Sequence, residues 1–179
     1  MKYKMKLFLI AVLLITVGQS ILAQEFSAPN KMFFCEFGGP GMVMSANFDS
    51  RIKPNTRHGL GFRIGAGFGL KMFPHSSENM YTNVTRTVYS IPAGINYIFG
   101  KTNSASTFEV GAGASIMSRK ASYYNYDVEK DGNMIGFITF MYRVAPINGG
   151  MSFRVGFTPL IGTAGDLFPM GAIGFGYAF

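Results

Sequence analysis

From residue 60 to residue 72 the chain alternates without a break. Leu60, Phe62, Ile64, Ala66, Phe68, Leu70 and Met72 are apolar, and between them stand Gly61, Arg63, Gly65, Gly67, Gly69 and Lys71. A period of two sends successive side chains to opposite faces of a strand and does not fit the 3.6-residue period of a helix. The stretch is about twice as long as an average globular strand, but it suits a tilted membrane strand, which needs at least about 9–11 residues. The pattern recurs at 106–117, where Phe108, Val110, Ala112, Ala114 and Ile116 oppose Glu109, Gly111, Gly113 and Ser115. It recurs again at 151–159 and at 170–179, the last setting Ile173, Phe175, Tyr177 and Phe179 against Ala172, Gly174, Gly176 and Ala178.

Four further strands are predicted at about 32–37, 42–49, 87–99 and 134–144, eight in all. The connections alternate in length. Residues 51–59, 100–105 and 145–150 are short and rich in Asn, Gly and Pro, whereas 73–86, 118–133 and 160–169 are read as longer loops. Short turns on one side and long loops on the other are the habit of an up-and-down barrel that crosses the outer membrane, with both termini on the periplasmic side. Along 87–99 the apolar face reads Tyr89, Ile91, Ala93, Ile95, Tyr97, Phe99, aromatic at both ends as two interfacial girdles require. Pro92 lacks the N–H that a closed barrel needs mid-strand, so a bulge is expected there. Residues 134–144 are apolar on both faces in their first half, through Ile135 and Phe137, which leaves their register open.

The polarity excludes a soluble barrel of this size. Such a barrel points its apolar set inward and covers its outside with charge, but only 14% of residues here are charged and the second face is mostly Gly, Ala and Ser. The expected class is all-β, an eight-stranded antiparallel up-and-down transmembrane barrel. Ahead of it, Lys2, Lys4 and Lys6 precede an apolar run at 7–17 and then Ile21-Leu22-Ala23, the layout of a secretory signal peptide. The run is too short to span a bilayer as a helix, which takes about 20 residues. Residues 1–23 are therefore expected to be a cleaved signal peptide and 24–179 the outer-membrane barrel domain. The formal charge of +7 falls to +4 without the three leader lysines, and what remains is scattered, so no nucleic-acid partner is expected. Cys35 is the single cysteine, which rules out an internal disulfide and reads as a small apolar strand residue.

Several segments carry a family likeness. The ending Gly174-Phe175-Gly176-Tyr177-Ala178-Phe179 resembles the C-terminal targeting signal of outer-membrane barrels, except that Ala172 stands where a polar residue is usual. The segments Glu36-Phe37-Gly38-Gly39, Ile91-Pro92-Ala93-Gly94-Ile95-Asn96-Tyr97-Ile98-Phe99-Gly100-Lys101, Phe108-Glu109-Val110-Gly111-Ala112-Gly113 and Phe153-Arg154-Val155-Gly156-Phe157-Thr158-Pro159-Leu160 together resemble the small outer-membrane β-barrel proteins common in Bacteroidota. In size the barrel is similar to the OmpA and OmpX type. The likeness implies a location, a fold and two partners: outer-membrane lipid, and the barrel-assembly machinery acting through the strand that ends in Tyr177 and Phe179. A monomer without enzymatic activity is expected.

Six charges fall on the inward face: Glu36, Arg63, Lys71, Glu109, Arg143 and Arg154. In a lumen just wide enough for side chains they are expected to form a salt-bridged plug, the alternative being the narrow point of a small gated pore, with room for water beside the many glycines. The loops 73–86 and 118–133 offer contact surfaces for a rival role in surface binding or adhesion, the second through Tyr123, Tyr124 and Tyr126 among charges of both signs. A third role, lipid-modifying hydrolase, rests on His75 and Ser77, a His-x-Ser pair that resembles the one in lipid A deacylases. There it lies on a strand, whereas here it falls in a predicted loop. Asp127 to Gly132 mimics the start of a calcium loop, but Ile138 stands where the bidentate Glu is required. No metal, cofactor or catalytic residue is expected.

Overall fold

The computed structural model describes residues 28–77, 80–118, 133–162 and 165–179, with the backbone alone for 71–77 and 80–86. The strands are β1 (Lys31–Gly38), β2 (Met44–Arg51), β3 (Gly59–Ser77), β4 (Met80–Phe99), β5 (Ser106–Met117), β6 (Met134–Val144), β7 (Gly150–Phe157), β8 (Leu160–Ile161), β9 (Leu167–Phe168) and β10 (Gly171–Ala178). Each long strand pairs antiparallel with the next, β7 pairs with β10, and β10 returns to β1. The result is a closed eight-stranded antiparallel β-barrel with no free sheet edge around its ring.

Its stagger can be followed through the pairing. From Glu36 one route runs through Ser45, Gly67 and Ser90 to Met117; the other runs through Gly174, Arg154 and Arg143 to Thr107. The two routes meet the same strand ten residues apart. Ten steps of ~3.3 Å around eight strands ~4.8 Å apart tilt the strands by about 40°. Every residue on both routes faces inward, because an even number of steps along a strand preserves the face.

Four places depart from the sequence expectation. Residues 73–86 are not a loop: β3 and β4 continue as one hairpin ladder to Ser77↔Met80, since Thr82, Val84, Thr85 and Thr87 favour strand and Pro74, although it lacks an N–H, keeps the register opposite Asn83. Pro92 makes no bulge. The register is the same on either side, Ile64↔Ala93 and then Gly67↔Ser90, and only the two pairs between are lost, while pairing with β5 continues through Pro92↔Ser115. Residues 160–169 hold the short pair β8–β9, which keeps the registers of β7 with β6 and with β10. The gap between β7 and β8 arises because Pro159 and Pro169 fall opposite each other and neither has an N–H to give. Finally, Ile135 and Phe137 both face the lumen, each 2% exposed; the inner wall is itself apolar at that height, which is why that segment reads as greasy on both sides.

Among the described residues, a turn fills the loop end of the lumen. The β1–β2 connection folds inward as a single 3-10 turn, Gly39–Gly41, all three residues buried. Its carbonyls accept hydrogen bonds from Ser115 Oγ at Pro40 (2.7 Å) and from Ser90 Oγ at Gly41 (3.2 Å). The turn needs left-handed backbone at Gly38 (φ 73°) and Gly39 (φ 65°), and Met42 follows at φ 77°. Positive φ is costly for Met and is held only by its surroundings. Met42 packs into an apolar cluster with Val88, Met117, Ile135, Phe137 and Leu160.

Interior glycines make room for large neighbours. A Cβ on Gly174 would stand 2.7 Å from Cγ of Arg154, one on Gly113 would stand 2.6 Å from Phe137, and one on Gly69 would stand 2.6 Å from Met42. The space that the sequence suggested for water is taken, at these glycines, by neighbouring side chains. Gly174→Ala should accordingly displace Arg154 and cost about 1–3 kcal/mol, read as a lowered urea midpoint for unfolding of the refolded barrel.

Candidate functional site

Inward positions of six strands bring seven charges into one line. Arg63 Nη2 donates to Glu36 Oε1 at 2.8 Å; Glu36 Oε2 lies 3.4 Å from Arg154 Nε; Arg154 Nη2 donates to Glu109 Oε1 at 3.1 Å. Arg143 Nη1 then bridges Glu109 Oε2 at 2.9 Å and Asp49 Oδ2 at 3.3 Å, and Asp49 Oδ1 accepts from Arg51. The chain is Arg63, Glu36, Arg154, Glu109, Arg143, Asp49, Arg51, with signs alternating at every step. The pair Glu36–Arg154 is an ion contact without hydrogen-bond alignment.

Register explains the reach. Glu36 and Arg154 both pair with Gly174, one from each side, so the missing side chain between them lets the guanidinium cross a whole strand. Arg143 and Arg154 pair directly, a like-charge arrangement that is unfavourable alone. Glu109 accepts from both of them and also from Asn96 Nδ2 at 3.1 Å. Asn47 and Asn96 complete the set: Asn47 Oδ1 accepts from Arg63 at 3.1 Å, and Asn96 donates to Asp49 at 2.7 Å and accepts from Arg51 at 2.7 Å. Phe34 lies under two guanidiniums, with Arg154 4.4 Å and Arg63 5.3 Å from its ring centre. A buried cation gains from the negative face of a ring.

Five of the six charges expected in the lumen, Glu36, Arg63, Glu109, Arg143 and Arg154, are thus joined in one chain. The side chain of Lys71 lies outside the described residues, as do Tyr123, Tyr124 and Tyr126 and the side chains of His75 and Ser77. Sequence reasoning missed Asp49 and Arg51, and with them Asn47 and Asn96. The signal is present: Ser45, Asn47, Asp49 and Arg51 keep one parity, but a strand that stops at residue 49 leaves Arg51 in a turn, whereas β2 runs on through it. Among the described residues no three His, Cys, Asp or Glu side chains come together as a metal site.

At the turn end Arg57 reaches across the mouth. Its guanidinium donates to the carbonyls of Ser104 (3.2 Å) and Ala145 (2.6 Å), tying the β2–β3 connection to the other two turns. Partial burial and the nearby Arg143 lower its pKa, though a guanidinium stays protonated. His58 beside it is also lowered, by burial first and then by Arg57. Together these features define a barrel with an apolar outside, a charge-filled centre, an inward-folded turn at one end and Arg57 across the other. No family model, curated protein or solved structure matches the chain.

Two outcomes follow. Glu109→Gln leaves two buried guanidiniums short of a counter-charge and should cost about 3–5 kcal/mol, the usual penalty for breaking a buried pair, measured as a fall in the urea midpoint. In NMR titration His58 should have its midpoint below the ordinary histidine value, rising toward it in Arg57→Gln. Because the folded-state pKa is the lower one, the contribution of His58 to stability is complete above the ordinary value and is lost as pH falls from there through the lowered folded-state value.

Proposed function

We propose that the chain is an integral outer-membrane β-barrel, non-enzymatic and structural, with an occluded lumen, exported by a signal peptide at 1–23. The observation that carries this reading is inverted polarity. Phe33, Phe62, Ile64, Ile95, Phe140 and Phe175 are all outward and more than 40% exposed, while Arg63, Arg154, Glu36 and Glu109 inside are 2% exposed or less. Among the described side chains, the outward strand positions carry no charge except Lys31 at the start of β1. Burying ions while exposing rings is unfavourable in water and favourable in lipid.

The dimensions support the same reading. Outward apolar positions on β3 run from Leu60 to Leu70, ten steps that at ~3.3 Å and a tilt of about 40° give a band of about 25 Å, the usual height for such barrels. At the turn end Phe99, Phe108 and Tyr142 pack in a row (6.0 and 5.5 Å between ring centres), and Phe48, Phe33 and Phe179 form another (4.9 and 5.7 Å), as an interfacial girdle would. The charge chain, the Gly39–Gly41 turn and the apolar cluster all favour a filled barrel over the narrow-pore version.

The protein carries its own probe. Cys35 is free and exposed on the outer face of β1, between Phe33 and Phe37. Refolded into lipid vesicles, the barrel should run with a heat-dependent shift on a gel. Cys35 should resist a charged water-soluble thiol reagent there and react in the unfolded chain. Rapid labelling of Cys35 in the vesicle-bound, heat-modifiable form would overturn insertion. In planar bilayers discrete channel openings are not expected; regular openings would favour the pore.

A further inference from the structure

The turn-end rim holds a groove of about 620 Å³ between the β2–β3, β4–β5 and β6–β7 connections. One wall is apolar: Leu60 and Tyr97, a directly paired, outward-facing couple on β3 and β4, together with Ile52 and Ile147 from the turns. These four are 43–63% exposed. The other wall is polar and basic, with Lys53, Arg57 and His58.

Three observations narrow what fits. Among the described residues Lys53 has no carboxylate partner, whereas Arg57 is committed to two carbonyls. His58 Nε2 is buried with no hydrogen-bond partner among them. Among the described residues the acidic side chains are Glu36, Asp49 and Glu109 in the lumen and Asp166 in the β8–β9 connection at the loop end, so the turn-end rim presents basic side chains and no acidic one. An occupant must be negative at one end and apolar at the other, and must sit where the lipid-facing wall meets water.

We propose that this groove binds the headgroup of an anionic phospholipid, with phosphate at Lys53, beside His58, and the glycerol and first methylenes against Ile52, Leu60 and Tyr97. A soluble anion fits less well, because it leaves the apolar wall in water and meets a single uncommitted cation. The inference rests on the membrane reading above. It assigns to one side of the barrel a defined contact with lipid beyond the general apolar band.

The test uses the full barrel refolded in non-ionic detergent and native mass spectrometry to count retained phosphatidylglycerol or phosphatidylcholine of the same acyl chains. Phosphatidylglycerol should be retained preferentially. Lys53→Gln should weaken its retention about fivefold, the worth of one basic residue near an anionic surface. Lys101→Gln, on the same rim but outside the groove, should leave retention within about twofold, the scale of a diffuse long-range effect. A heat-dependent gel shift in both variants shows that they fold. Equal retention of the two lipids overturns the proposal; so does an equal loss in both variants, which would mean diffuse charge, or displacement of the lipid by millimolar inorganic phosphate. Flotation with pure phosphatidylcholine vesicles separates the two levels. A barrel that floats there without preferring phosphatidylglycerol sinks the lipid site alone, and one that does not float sinks the membrane reading with it.

Discussion

Ring closure is the constraint on which the other features depend. Once β1 pairs with β10, with Glu36 opposite Gly174, eight strands and a stagger of ten fix the lumen at a width that side chains must fill. There is no second layer to pack against and no way to relax the wall outward without breaking ladder bonds. Inner positions are graded accordingly, with glycine beside several bulky groups: Gly174 by Arg154, Gly113 by Phe137, Gly69 by Met42. Close packing of this kind is usually the work of an apolar core. Here much of it is done by guanidinium stems and amides.

Alternation of sign makes that filling tolerable. An isolated buried charge costs several kcal/mol in lost hydration, and a facing opposite charge offsets part of it; Arg63 Nε and Nη1 and Arg154 Nη1 stay buried without a hydrogen-bond partner among the described residues, so their charge is balanced by position more than by hydrogen bonds. In the chain from Arg63 to Arg51 each carboxylate touches two guanidiniums, and the two inner guanidiniums each touch two carboxylates. The terminal cations turn to neutral partners, Arg51 to Asn96 and to the carbonyl of Gly59, Arg63 to Asn47 and the ring of Phe34. Four guanidiniums to three carboxylates leave the line cationic at both ends. Removing a middle member is therefore worse than removing an end.

The two mouths are closed by different chemistry. At the loop end the polypeptide itself folds in, with the carbonyls of Pro40 and Gly41 satisfied by two serines and an apolar cluster above them. At the turn end a single side chain, Arg57, is stretched over the opening. A lumen filled in this way is the basis for proposing a structural barrel and not one that conducts through its centre.

Much of this was legible in the alternation alone. A period of two distinguishes the faces of a strand at every residue, so Glu36, Arg63, Glu109, Arg143 and Arg154 could be placed together inside before any fold was known, and Phe62 and Ile64 outside. What alternation cannot carry is the relation between strands or the path of a connection. The inward fold of Gly39–Gly41 depends on Ser90 and Ser115, far away in the chain. The absence of a bulge at Pro92 depends on a ladder with β5 that proline leaves untouched. Ile135 and Phe137 looked ambiguous because the lumen changes from charged to apolar along its length, and height within a barrel is set by stagger. Parity is local, written residue by residue in the chain. Register, and with it the order of charges along the lumen, arises only when the ring closes.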